Sequence, residues 1–546
     1  MKQNILKWKA VCLPLCVVAL VITLVTWASS SPIKNSPKAP VTIEGNPFQN
    51  TVKQVDQFFE EQWSESNITV SETTDDLNQI RRLSLALHGT VPSLEEIREF
   101  EQMEGNDRLE RWTQKLLADR RFADYFSERL ARAFVGVDQG QFIIFRRDRF
   151  KAWLSEQIEA NTPYDELAKT LISGEGLWTG DPETNYITAA SADGNLDRNK
   201  LTGNTVRAFL GQRIDCAQCH DHPFDHWKQS DFEGLTAFYG QVEVQLFGVR
   251  QNEDLKYEVE DRETLEKRVV SPQVPFLNEC LPQEGTLREK LAAWVTHPQN
   301  RRFERASANR IWGLLFGVPY INPVDDLPAP TDLSEFPPDV LDILGKDFRE
   351  NGYDIKRMIQ IIVASKPFRL SSQSESRVSE EEVERLNDSW ALFPLVRLRP
   401  EQIIGSMLQA SSLKTIDQNS NLFMRGRRFF SEINFINEYG DLGSDELNDF
   451  PGTIPQALLR MNGEFAQDNG TASPLNSVGR IAGLDFSDEK RIETCFLVCL
   501  TRTPTPSEKD YFLKQYQATQ NQNDRIKVTE DLFWSLYNSP EFSWNH

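Results

Sequence analysis

Residues 75–102 read DDLNQIRRLSLALHGTVPSLEEIREFEQ. Leu77, Ile80, Leu83 and Leu87 recur at steps of three and four, the period of one helical face. The run stops at Gly89, a residue suited to ending a helix. Ser93 follows, with Glu96 three positions later, the pattern of a capping box that opens a second helix. One helix therefore ends and another begins within a few residues, with no alternating stretch between them.

The same period extends outward in both directions. Towards the N-terminus it covers VKQVDQFFEEQW (52–63). Onward it covers RLERWTQKLL, RFADYFSERLARAFVG, FRRDRFKAWLSEQIEA and PYDELAKTLISG. The aromatic and aliphatic stripes of these segments read as core. Arg146, Arg147 and Arg149 read as solvated or paired with acids. Alternation appears only around 241–275, in QVEVQLFGV, YEVE and RVVSPQVPF, which predicts a small β or extended arm. Helical periodicity resumes near 286 and continues through RASANRIWGLLFG, DIKRMIQIIVAS, PEQIIGSMLQASS, PGTIPQALLRMNG, EKRIETCFLVCL and VTEDLFWSLYNS. Residues 413–450 read as a polar, irregular loop. Cys495 and Cys499, at i and i+4, read as buried packing residues. The fold expected is mainly α: two helical domains, 51–240 and 283–546, with a small β or extended insertion at 241–282.

The chain has 546 residues, 39% hydrophobic and 26% charged, a composition that excludes a disordered or collagen-like protein. Lys plus Arg total 60 against 81 Asp plus Glu, for a net charge of −21. That balance argues against binding nucleic acid, which depends on cationic neutralisation of phosphate. Lys2, Lys7 and Lys9 precede a long apolar stretch, Val11 to Trp27, and the small residues Ala28, Ser29, Ser30 and Ser31. This order predicts a signal peptide or membrane anchor over 1–30. Either would export the remainder, to the periplasm, the cell surface or the medium. Residues 31–50 contain four prolines and no helical period, so they read as a linker.

Residues 216–227 read CAQCHDHPFDHW. Cys216, Cys219 and His220 form C-x-x-C-H, the attachment pattern of c-type haem. Two thiols would add to the haem vinyl groups, and the adjacent imidazole would ligate the iron. By composition alone such a triplet is expected on the order of 10⁻³ times per chain. The histidines clustered here leave other chemistries open. Cys216, Cys219, His222 and His226 could hold Zn²⁺ with C-x2-C-x2-H-x3-H spacing. Cys216 and Cys219 could instead form a redox disulfide. Asp221 and Asp225 are candidates to orient imidazole N–H groups. A distal haem ligand would have to come from elsewhere: His88, His297, Met103, Met358, Met407, Met424 or Met461. The chain has no Gly-rich phosphate loop, no G-x-S-x-G and no H-E-x-x-H. The acidic pair Asp325-Asp326 reads as turn and capping residues.

CAQCHDHPFDHW, followed by DFEGLTAFYG, resembles the signature of the planctomycete cytochrome-C-type domain, a bacterial domain of unknown function. RRLSLALHGTVPSLEEIREF resembles the start of that domain, although His88 stands where the family more often has Thr. The second half resembles the planctomycete-specific C-terminal companion domain, through NRIWGLLFGVPYINPVDDLPAP, FRENGYDIKRMIQIIVASKPFRLSS, PQALLRMNG and LYNSPEFSWNH. The family's name implies haem, without an established activity. The expectation is an exported cell-envelope protein with a c-type-haem-like or metal site serving electron transfer or redox sensing. Its partners would be other exported envelope proteins. The alternatives are a non-enzymatic envelope scaffold with a structural Zn or disulfide site, and an extracytoplasmic enzyme of unknown reaction.

Overall fold

A computed structural model describes residues 47–137, 145–177, 179–192, 195–223, 226–245, 248–260, 265–328, 338–373, 379–420, 422–441, 443, 447 and 452–546. The leader or anchor over 1–30 and most of the linker lie outside them. The protein is mainly α, and the strands among the described residues form two-stranded antiparallel sheets. No helix among the described residues is long and apolar enough to cross a membrane.

The chain divides into two compact units, each assembled from separated segments. The described part of the first is Phe134–Arg207 with Arg213–Asn300; the second is Pro40–Ala133, Ala208–Gln212 and Arg301–His546.

In the first unit, helix Tyr164–Ser173 packs on helix Leu287–Val295, burying Leu167, Leu171, Leu291 and Trp294. The latter helix opens with a capping box between Thr286 and Glu289. Helices Arg198–Thr205 and Gln229–Ala237 pack together beside a buried hydroxyl chain. In that chain Thr205 Oγ1 lies 3.0 Å from Tyr186 Oη and 2.8 Å from Tyr239 Oη. The alternating segment forms two hairpins: Val242–Gln245 pairs with Gly248–Gln251, and Glu258–Glu260 with Lys267–Val269. Of the three arginines read as solvated or acid-paired, Arg146 is held by Asp148 at 2.5 Å. Arg147 is buried and donates to the Gly136 carbonyl, and Arg149 donates to that of Thr179.

In the second unit, helix Asp76–His88 is capped by Asp75, which accepts from Asn78 N–H at 2.9 Å. It ends at Gly89, whose φ of 68° is left-handed; a Cβ there would also strike the Tyr125 ring. Helix Leu94–Glu101 begins with the Ser93–Glu96 capping box. Helix Arg301–Phe316 buries Ile311, Trp312, Leu314, Leu315 and Phe316, and packs on helix Val340–Glu350. Trp312 and Phe316 stack with ring centres 4.4 Å apart. A further core gathers Leu85, Ile403, Met407, Cys495, Cys499, Leu532 and Tyr537, and both cysteines are fully buried.

One expected loop is corrected. Within 413–450 lies helix Leu422–Tyr439, packed on helix Pro400–Ser411. Its described side chains bury only a narrow strip, Phe435 and Tyr439, while Phe430 and Ile433 face solvent. Arg425, Gly426, Arg427 and Arg428 break its apolar residues into two groups, which hides the period.

Candidate functional site

The C-x-x-C-H residues occupy a short turn of the first unit. Asp215–Gln218 is a 3₁₀ helix, and Cys219 closes it. With three residues per turn, positions i and i+3 eclipse. Cys216 and Cys219 thus lie one such turn apart, and both are exposed and outside any disulfide. Ala217, between them, is fully buried and keys the turn to the interior beside buried Ile214.

Two contacts fasten the turn. Asp215 Oδ2 accepts from Arg207 Nη2 at 2.5 Å and Nε at 3.1 Å. The approach depends on Gly203, where a Cβ would meet Asp215 Oδ1 at 2.8 Å. Downstream, Asp221 Oδ1 accepts from the Gln229 backbone N–H at 2.9 Å, at the start of helix Gln229–Ala237. Between them, His222 N–H donates to the Trp227 carbonyl at 2.7 Å. Trp227 is buried, edge-on to Phe276, which in turn packs against Trp294 at 5.0 Å.

His220 is exposed, and its Nδ1 lies 2.7 Å from the Asp221 carbonyl oxygen. A carbonyl only accepts, so Nδ1 must carry the proton. That leaves the Nε2 lone pair for a metal, the tautomer a ligand histidine needs. His297 has the opposite arrangement. Its Nδ1 accepts from the Gln299 N–H at 3.2 Å, so in the neutral ring the proton sits on Nε2.

Asp221, expected to orient an imidazole through its carboxylate, does so instead through its backbone carbonyl. Phe224 and Asp225 lie outside the described residues. His222 is half-buried and His226 exposed. Among the described residues no three His, Cys, Asp or Glu side chains gather in a group that could hold a metal ion. Of the expected distal ligands, Met358 and Met407 are buried in the second unit. His88 is buried with Nε2 3.0 Å from the Leu116 carbonyl. Met103 is half-buried and Met461 exposed. The Met424 side chain lies outside the described ones.

Fold and turn together define a mainly α-helical protein that presents two thiols and an imidazole on one exposed loop. Residues 54–244 match the family described as Protein of unknown function (DUF1549), PSCyt2, and residues 287–429 match Protein of unknown function (DUF1553), PSD1. The chain thus carries these two domains of unknown function in this order. No curated protein and no solved structure matches it.

Proposed function

We propose that this chain is an exported cell-envelope protein that carries a covalently attached c-type haem and serves electron transfer or redox sensing. One observation carries the reading. Cys216 and Cys219 stand exposed one 3₁₀ turn apart, and the next residue, His220, has its Nδ1 bonded to the Asp221 carbonyl and its Nε2 left to ligate. Cys216 and Cys219 would tether the group through two thioethers, and His220 would ligate its iron. When bound, haem supplies a one-electron iron couple. The protein's own part is to hold the thiols one turn apart, fix the imidazole tautomer and anchor the loop through Asp215 and Asp221. The lysine-led apolar segment at residues 1–30 supports export, since haem is attached to such motifs outside the bacterial cytoplasm.

The test is the protein purified from a host with haem-attachment machinery, then denatured. Thioether-bound haem stays with the polypeptide, so haem absorbance should persist and the mass should exceed the chain by one haem. Cys216→Ala with Cys219→Ala should abolish both. His220→Ala should keep the tether and change the iron's ligation, whereas His222→Ala should leave the spectrum unchanged. A colourless protein holding stoichiometric zinc, lost in His222→Ala and His226→Ala but not in His220→Ala, would overturn the proposal.

A further inference from the structure

The second unit contains two arginines beside one tyrosine, and one of the arginines has buried donors unmet. Arg397 lies on strand Val396–Arg397, Tyr439 at the end of helix Leu422–Tyr439, and Arg460 in helix Ile454–Asn462. Arg397 Nη2 donates to Tyr439 Oη at 2.9 Å. The phenol oxygen thus accepts from Arg397 and keeps its own proton to donate. Arg460 Nε and Nη1 are both buried and have no hydrogen-bond partner.

The surroundings hold these groups in place. Gln456 Nε2 donates to the Tyr439 carbonyl at 2.9 Å, and Thr453 and Gln456 close a capping box at the start of the Arg460 helix. The backbone at Gly452 runs so close to Arg397 that a Cβ there would overlap the guanidinium. No carboxylate pairs with Arg397 or Arg460 among the described residues. Asp441, two positions beyond Tyr439, is already held by Arg132 at 2.6 and 3.0 Å. Burial lowers the Arg460 pKa and the neighbouring Arg397 charge lowers it further, while Tyr439 opposes the shift.

Two cations in a partly desolvated site, with buried N–H groups unmet, are unfavourable unless something that only accepts hydrogen bonds neutralises them. Arginine has no acceptor atom, so the partner must supply all of them. Donors from three separate elements suit an anion with several oxygens in three dimensions better than one flat carboxylate. We propose that Arg397, Arg460 and the Tyr439 hydroxyl bind a tetrahedral oxyanion, phosphate or sulfate, either free or as an ester on a larger molecule.

The experiment uses the full chain, with titration calorimetry and thermal denaturation in inorganic phosphate, inorganic sulfate and glycerol 3-phosphate. Sodium chloride holds the ionic strength constant. One saturable site is expected. Arg460→Gln and Arg397→Gln should each weaken binding by roughly tenfold or more, the loss of one charge-assisted contact. Tyr439→Phe should weaken it about threefold to tenfold. Arg397→Lys, which keeps the charge and loses the fork, should fall between wild type and Arg397→Gln. Tighter binding of the ester than of inorganic phosphate assigns the site to a larger molecule; the reverse assigns it to the free anion. Absence of saturable binding overturns the proposal, as does binding that survives Arg460→Gln unchanged. Should Arg460→Gln fail to fold, Tyr439→Phe and Arg397→Lys decide the same question.

Discussion

Burial sets His88 against its own charge. The side chain is enclosed, with Arg121, Asp119 and Glu96 as its charged neighbours. Desolvation first, and then the Arg121 charge, lower its pKa to about 4, despite the opposing carboxylates and the Leu116 carbonyl. The unfolded chain takes up the proton near pH 6.5, so this group's stabilising contribution is intact above 6.5. It is lost as pH falls towards 4, by about 3 kcal/mol in all. His88→Gln keeps an N–H for the Leu116 carbonyl and removes the titration. Urea midpoints at pH 7.5 and pH 4.5 should therefore diverge less in the variant than in the wild type. Equal divergence would show that His88 is protonated within the fold. Buried arginines show the limit of residue-level reading. Arg81, Arg82, Arg288 and Arg302 are all but enclosed, although composition places arginine at the surface. Their partners are mainly carbonyls far away in the chain, and no local pattern announces them.

Helix boundaries were legible wherever their chemistry is local. The Ser93–Glu96 box and the Gly89 stop depend on residues within one turn, and both stand where the periodicity placed them. Ser93→Ala removes the Oγ that accepts from Glu96 N–H and should cost about 1 kcal/mol. A midpoint unchanged in urea would mean that the tertiary contacts of this helix suffice without its cap. Helix Arg301–Phe316 was equally readable, because Ile311, Leu314 and Leu315 fall on one stripe of it. Leu315 is almost wholly buried, and Leu315→Ala should cost about 2–5 kcal/mol by chemical denaturation. Helix Leu422–Tyr439 was not readable, since Arg425, Gly426, Arg427 and Arg428 break its apolar residues into two groups. At the candidate site the split is similar. The C-x-x-C-H spacing declares itself, but its fastening does not. Arg207 on Asp215, and Gln229 on Asp221, join residues eight positions apart with no periodic relation.

At the scale of the whole chain, linear reading sees helices in succession but not how they are gathered. Helices before residue 134 group with the second half of the sequence, and the segment from 134 to 300 makes most of another unit. Within the second unit, closure depends on consecutive arginines of helix Asp76–His88. Arg81 donates to the carbonyls of Cys499 and Glu541, both at 3.3 Å. Arg82 donates to the carbonyls of Phe368, Leu370 and His546 at 2.7–2.9 Å, with its guanidinium 3.6 Å from the centre of the Phe393 ring. One planar fork thus joins a helix near residue 80 to the last residue, 464 positions away. Beside it, strand Trp544–Asn545 pairs with Val396–Arg397, so the tail is bound along both its backbone and its end. A lysine can keep the charge but cannot span three carbonyls, and the carbonyls it abandons are shut away from water. Arg82→Lys should therefore lower the stability of the second unit by about 2–4 kcal/mol, read as a shift of the urea midpoint with little change in slope. Arg98→Lys, at an exposed i,i+3 pair with Glu101, should stay within about 0.5 kcal/mol of wild type. If the two variants unfold alike, the closure resides in apolar packing around residues 533–542, and the arginine fork adds nothing to it.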